Sequence, residues 1–210
     1  RVGGALAFVA NTTGSITSYR IANTGALTPV ISVLPSGVRD LVVDPSGRYL
    51  IAARLFGGAG NLSSVSVYSI NPANGVVSEV PGSPFSSSPT ASTIAKATVD
   101  PTGRFVYIAN SYRLSAFALN SSSGALTALT DPPLPPAYNI YDLEVDPTGR
   151  FLYVSTTGAT LASASLWVFR IDPQSGALVA LTGSPFPSGG EGAQVISIDP
   201  AGTYLYASHN

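Results

Sequence analysis

Charged side chains are scarce in this chain, and several of them fall at one recurring position. Lys and Arg account for 10 of the 210 residues and Asp and Glu for 11. One polar set precedes or enters short apolar segments that end in an Asp-Pro turn: Arg39, Asp40, Lys96, Tyr141, Asp142, Glu144 and Glu191. Carboxylates, cations and a phenol gathered in one place predict a pocket for a small anionic or sugar-like ligand. The alternative is a solvated surface that binds nothing.

The sequence has few of the residues that metal-dependent or nucleophilic catalysis requires. His209 is the single histidine and there is no cysteine, which excludes multi-His and Cys-based metal sites. No Gly-x-Ser-x-Gly elbow is present, and His209 stands one residue before the last, where a solvated side chain is expected. Arg54 and Arg113 are interpreted as ordinary surface cations. We therefore predict no catalytic residue, no metal site and no cofactor.

Overall composition excludes two classes of partner. The net charge is −1, so the chain has no basic footprint for nucleic acid, and no apolar run is long enough for a membrane span. Ser, Thr, Gly and Pro are abundant while Lys and Glu are few, which favours an extracellular or periplasmic protein.

A turn motif occurs four times and predicts the architecture. Asp-Pro-x-Gly begins at Asp44, Asp100, Asp146 and Asp199, at spacings of 56, 46 and 53 residues. Pro presets φ, Asp can accept hydrogen bonds from the turn, and Gly47, Gly103, Gly149 and Gly202 are predicted to take a positive φ. A period near 50 residues in an all-β pattern is typical of a β-propeller.

Each repeat contains four predicted strands, which we call A, B, C and D. A and B flank the Asp-Pro turn, C alternates apolar and polar residues, and D follows a turn that ends in glycine. Strand C should bury Ile16, Val67, Phe117 and Phe169 between sheets. The chain is predicted to be all-β, a single β-propeller of four-stranded antiparallel blades. It comprises a partial blade at 1–35, blades at about 36–85, 90–135 and 138–187, and a partial blade at 190–210. This division gives 17 strands, or about four and a quarter blades.

The B-strand quartets Tyr107–Asn110 and Tyr153–Thr156 follow Asp-Pro-x-Gly-Arg-Phe and resemble YVTN-type propeller repeats. More narrowly, the chain resembles the lactonase-like family that includes 6-phosphogluconolactonases. The resemblance implies a propeller fold and, as one option, a hydrolase that acts on a sugar lactone or a related small anion. That family often has Pro-Arg-His at the start of strand A. Arg39 matches the pattern, but Asp40 stands at the histidine position.

Two functions remain open at this stage. The first is a non-catalytic extracytoplasmic module that binds or scaffolds, and the alternative is the lactonase-like hydrolase. The predicted end blades are incomplete, so we also expect self-association through terminal strands. In that arrangement 196–198 pairs with 6–10, within one chain or between two chains.

Overall fold

A computed structural model describes residues 5–11, 15–30, 37–55, 63–87, 95–132, 134, 138–157, 164–190, 192 and 194–209. Within these ranges the secondary structure consists of antiparallel β-strands in five sheets, numbered I to V along the chain. The all-β prediction is therefore confirmed. Among the described residues, no helix has the length and apolar character that crossing a membrane requires.

The five sheets follow one another in chain order. Sheet I has β1 (Ala5–Ala10), β2 (Ile16–Ile21) and β3 (Leu27–Val30). Sheet II has β4 (Val38–Val43), β5 (Tyr49–Arg54), β6 (Ser64–Ile70), β7 (Val77–Glu79) and β8 (Phe85–Ser86). Sheet III has β9 (Ala95–Val99), β10 (Phe105–Asn110), β11 (Arg113–Leu119) and β12 (Leu126–Ala128). Sheet IV has β13 (Asn139–Val145), β14 (Phe151–Thr157), β15 (Ser165–Ile171), β16 (Leu178–Ala180) and β17 (Phe186–Pro187). Sheet V has β18 (Ile196–Ile198) and β19 (Leu205–Ala207).

The described residues form 19 strands rather than the 17 expected from the sequence. The two additional strands, β8 and β17, have two residues each and pair with the C strands β6 and β15. Both follow the sequence Gly-Ser-Pro, at 82–84 and 183–185. The serine hydroxyl of each copy accepts a hydrogen bond from a C-strand N–H, at 3.1 Å from Val67 N and 2.8 Å from Val168 N.

The Asp-Pro-x-Gly segments form the hairpins between A and B strands. Asp100 Oδ1 accepts hydrogen bonds from the N–H groups of Arg104 and Phe105, both at 2.7 Å, and Asp100 Oδ2 accepts one from Thr102 N. Gly103 has φ +70°, and the corresponding glycines of the other three turns have φ between +67° and +72°. A residue with a Cβ atom rarely adopts this conformation. The predicted glycine conformations are confirmed.

Three hydrophobic cores lie between neighbouring sheets. The first joins sheets I and II around Ile16 and Leu50, the second joins sheets II and III around Ile51 and Phe117, and the third joins sheets III and IV around Phe169. The B strands β5 and β10 each contribute side chains to a core on both faces, which explains their continuous apolar sequences. Ile16, Val67, Phe117 and Phe169 are all buried, as predicted.

The turns between C and D strands contact the preceding sheet. A Cβ atom on Gly176 would lie 2.3 Å from the Phe105 ring, so only glycine allows this approach. Arg48 Nη1 donates to Ser121 O at 2.9 Å, and Arg104 Nη2 donates to Pro173 O at 2.5 Å. The same type of contact therefore joins sheet II to sheet III and sheet III to sheet IV.

The first and last sheets do not pair with each other among the described residues. β1 pairs with β2 alone, and β18 pairs with β19 alone. The version of our prediction in which 196–198 pairs with 6–10 within one chain is therefore wrong. The version between two chains stays a prediction.

Candidate functional site

The A strands lie side by side and bring the predicted polar residues together. β4 contacts β9, β9 contacts β13, and β13 contacts β18. Asp40, Lys96 and Asp142 each stand four residues before the aspartate of the Asp-Pro turn. Equivalent positions on neighbouring strands face one another, so these three side chains form a row across sheets II, III and IV. We call this row the A-strand entry site.

Two carboxylates of the row bind the backbone of the next A strand. Asp40 Oδ2 accepts a hydrogen bond from Ala97 N at 3.0 Å, and Asp142 Oδ2 accepts one from Ile196 N, also at 3.0 Å. The first bond joins sheet II to sheet III and the second joins sheet IV to sheet V. These aspartates satisfy N–H groups on the outer edges of β9 and β18, edges that no further strand covers among the described residues.

Lys96 lies between the two aspartates. Its Nζ is 3.8 Å from Asp142 Oδ1, and the two side chains are 36% and 13% exposed. Burial raises the pKa of Asp40 above its ordinary value, while the Ala97 hydrogen bond and the charge of Lys96 act in the opposite direction. The row is thus an Asp-Lys-Asp arrangement in which the amine remains accessible to a ligand.

Glu144 lies two residues after Asp142 on β13, on the same face of the strand, and extends the site. Its Oε2 accepts a hydrogen bond from Ile198 N at 3.0 Å, which is a second bond between sheets IV and V. Burial raises the pKa of Glu144, the Ile198 hydrogen bond opposes that rise, and the negative charge of Asp142 adds to it. Glu144 is therefore a half-buried carboxyl that holds its proton to a higher pH than an exposed one.

Arg39 and Tyr141 occupy equivalent irregular positions. The register of β4 against β5 shifts between Val38 and Asp40, and that of β13 against β14 shifts between Ile140 and Asp142. Arg39 and Tyr141 are thus the additional residues of two β-bulges. A bulge redirects a side chain, and bulges are frequent beside binding sites. The sequence gives no signal for either bulge.

Three further residues singled out in the sequence have different surroundings. Glu191 lies outside the described residues. His209 is exposed, and its ring lies against Gly190, where an added Cβ atom would be 2.7 Å from it. Arg54 is only 5% exposed and donates to Ser66 Oγ at 3.0 Å. The interpretation of Arg54 as a surface cation is wrong, because this arginine ends a B strand that is covered on both faces.

Arg113 is the other arginine that the sequence singled out as a surface cation. Arg113 is partly exposed and pairs with Asp131, as an ordinary surface cation would. Within the part of the chain that the structure describes, no three His, Cys, Asp or Glu side chains come close enough to hold a metal ion.

Comparison with protein families gives one clear match. The model of the family described as lactonase with a seven-bladed β-propeller matches residues 101–210, a little over half of the chain. The chain belongs to this lactonase family. The matched region contains Tyr141, Asp142 and Glu144, so one flank of the A-strand entry site lies within the part of the chain that the family model matches. None of the curated proteins matches the chain significantly.

Solved structures of other proteins confirm the β-propeller fold of this lactonase family member. A candidate 6-phosphogluconolactonase of Bacteroides uniformis superposes with a TM-score of 0.80 at 20% identity, over 100% of this chain and 62% of its own. A Lactobacillus plantarum protein gives a TM-score of 0.78 at 23% identity, over 97% of this chain and 60% of its own. A second candidate 6-phosphogluconolactonase, from Bacteroides fragilis, gives 0.71 at 19% identity, over 96% and 62%. The chain thus spans about three fifths of the length of these proteins.

Proposed function

We propose that this chain is an exported propeller module that binds a small polar ligand, without catalysis, at its A-strand entry site. The observation that supports this proposal most directly is the engagement of the acidic groups. Asp40 and Asp142 each use one carboxylate oxygen to accept a backbone hydrogen bond between sheets. The carboxylates are thereby held in place, and the Lys96 amine between them is left to face a ligand.

The charge arrangement suggests the class of ligand. A single amine flanked by carboxylates suits a molecule that carries one carboxylate and several hydroxyl groups, because the amine pairs with the anion and the aspartates accept from hydroxyls. Tyr141 adds a phenol from its bulge on β13. Sugar acids have this combination of groups. Gluconate is therefore a suitable probe.

Calorimetric titration with gluconate tests the binding proposal. Lys96→Met keeps most of the side-chain length but removes the charge, and should weaken binding about tenfold, the loss expected for one charge-assisted hydrogen bond. Arg113→Met is the matched control, because it removes a cation whose ion pair with Asp131 lies outside the entry site. Equal affinities of both variants and the unsubstituted protein, or no binding at all, would reject the proposal.

A second candidate function is lactone hydrolysis, which the family match favours. In this candidate the Glu144 carboxylate removes a proton from water while the water oxygen attacks the lactone carbonyl carbon. The ring C–O bond then breaks, and the ring oxygen leaves as the hydroxyl of the product acid after protonation. The raised pKa of Glu144, caused mainly by its burial, makes its carboxylate a stronger base than that of an exposed glutamate.

Acid release from δ-gluconolactone separates the two functions. Hydrolysis above the spontaneous rate that Glu144→Gln abolishes would establish the hydrolase and overturn the non-catalytic proposal. Gluconate binding without any hydrolysis above that rate would establish the binding module. Asp40→Asn serves as a control, because it alters the site on sheet II while Glu144 keeps its position on sheet IV.

A further inference from the structure

The turn between β6 and β7 contains the only Asn-Gly pair of the chain, Asn74 and Gly75. Every other asparagine that has a following residue is followed by one with a Cβ atom. The backbone nitrogen of a glycine is the least hindered of all, because no Cβ atom stands beside it. The corresponding turns of sheets I, III and IV end in the same glycine but have a hydroxyl residue before it: Thr24, Ser123 and Ser175.

The side chain of Asn74 is exposed and its amide lies across Gly75. Its Oδ1 accepts a hydrogen bond from Val76 N at 3.0 Å. This bond polarises the amide carbonyl and stabilises the negative charge that develops on Oδ1 when a nucleophile attacks Cγ. Ser123 and Ser175 accept the equivalent bond through Oγ, at 3.3 and 3.4 Å. The repeat thus uses this position as a turn acceptor, and of these three residues only Asn74 offers a carbonyl carbon to a nucleophile.

The backbone nitrogen of Gly75 is the nucleophile that stands next to this amide. Its N–H donates to Asn71 O at 2.8 Å, so this hydrogen bond has to open before the nitrogen reacts. Residues 71–74 are all exposed, and an exposed turn opens locally at a small cost in free energy. The turn therefore slows an attack on Asn74 without preventing it.

We propose that Asn74 is a site of spontaneous modification, at which the side-chain amide becomes a carboxylate through a cyclic imide. The Gly75 nitrogen loses its proton to hydroxide and forms a bond to Asn74 Cγ. The Cγ–Nδ2 bond then breaks, and Nδ2 takes a proton from water and leaves as ammonia. Water opens the imide in one of two ways. Breaking the bond from nitrogen to Cγ gives aspartate, whereas breaking the bond to the main-chain carbonyl carbon gives isoaspartate, whose main chain runs through Cβ and Cγ.

Isoaspartate at position 74 would disturb the contact between sheets I and II. Ala73 O accepts a hydrogen bond from Arg20 Nη2 at 2.7 Å. Gly75 packs so closely on sheet I that an added Cβ atom would lie 2.8 Å from Leu6 Cδ2. The main chain of isoaspartate is longer than that of asparagine, so the turn cannot keep both contacts at these distances. We expect sheet I to be held less tightly after the modification.

Peptide mapping by mass spectrometry, after incubation of the folded protein at neutral and mildly alkaline pH, tests the reaction. Conversion at Asn74 should be at least about tenfold faster than at any other asparagine, because only Gly75 leaves the attacking nitrogen unhindered. It should also become faster as the pH rises, since the nitrogen has to lose its proton. Asn74→Ser keeps a turn acceptor, as in sheets III and IV, and should end the conversion in this peptide.

Two results would overturn the modification site. One is conversion at equal rates for Asn74 and the other asparagines. The other is an unchanged Asn74 in the folded protein while the same protein unfolded in urea is converted, because the turn would then block the reaction.

The isoaspartate form, separated by ion exchange, tests the effect on the contact between sheets. The amide hydrogens of β1 and β2 should exchange at least about threefold faster than in the unmodified protein. Asn74→Asp is the matched control, because it carries the new charge on a main chain of ordinary length, and it should exchange like the unsubstituted protein. Equal exchange rates in the isoaspartate form and in Asn74→Asp would overturn this effect.

Discussion

Aspartate side chains in this protein accept hydrogen bonds from backbone N–H groups far more than they pair with cations. Asp100 binds the N–H groups of its own turn, and Asp40 and Asp142 bind those of the next sheet. An N–H group left without an acceptor in a buried position costs free energy comparable to a lost hydrogen bond. The few charged residues of the chain therefore contribute strongly to its backbone geometry.

Removing the carboxylate of a turn should destabilise the fold where the turn is buried. Asp100→Ala leaves the N–H groups of Arg104 and Phe105 without their acceptor, and we expect the free energy of unfolding to fall by roughly 2–4 kcal/mol. Urea unfolding measures this loss of free energy. Asp199→Ala is the control, because Asp199 makes the same bonds to Thr203 and Tyr204 in an exposed turn and should cost less. Equal losses for both would contradict this explanation.

Titration of Asp40 should appear in the pH dependence of stability. Burial raises its folded-state pKa above the ordinary 3.8, so the folded protein binds the proton more tightly than the unfolded chain does. The free energy of unfolding, relative to Asp40→Asn, should fall as the pH rises from 3.8 through the raised pKa, and then level off. Urea titrations between pH 3 and 7 measure this difference. A relative stability that rises over this window would show that the shift has the opposite sign.

Asp199 provides the control of opposite sign. Hydrogen bonds from the backbone, that of Tyr204 first, lower its pKa below 3.8. Relative to Asp199→Asn, stability should therefore be constant at neutral pH and decline as the pH falls from 3.8 towards the lowered pKa.

At the scale of the strand, the sequence predicts those turns and strands whose determining residues lie close together in the sequence. The A–B hairpins follow from Asp-Pro-x-Gly, because the turn chemistry lies within six residues, and the C strands follow from alternation. β8 and β17 were not predicted, since a two-residue strand has no periodicity. The hydrogen bonds from Asp40 to Ala97 and from Asp142 to Ile196 were not predicted either. Their partners are 57 and 54 residues apart, and only the packing of the sheets brings them together.

The C strands should contribute more to stability than the short additional strands. Phe117 of β11 is 3% exposed in the core between sheets II and III, and Phe117→Ala should cost about 3–5 kcal/mol, the usual range for a core aromatic residue. Phe186 of β17 is 37% exposed and serves as the control, with a loss below about 1 kcal/mol. Chemical denaturation provides both values, and a loss below about 1 kcal/mol for Phe117 would contradict its place in the core.

At the scale of the whole molecule, we propose that residues 196–198 of one copy pair with residues 6–10 of another. Among the described strands, β1 pairs with β2 alone, and Val9 of β1 is 47% exposed. Val9→Lys should reduce dimerisation at least fivefold, because a charge on an edge strand opposes pairing. Tyr112→Lys is the control, since Tyr112 is 62% exposed but lies between β10 and β11, away from β1.

Sedimentation equilibrium at micromolar concentrations measures this association. A monomer at every concentration, or the same loss of dimer for both variants, would reject the pairing of 196–198 with 6–10.

The placement of the three cores between neighbouring sheets determines how the molecule opens. Because β5 and β10 each have a core on both faces, we expect their amide hydrogens to exchange more slowly than those of β18 and β19, whose residues belong to none of the three cores.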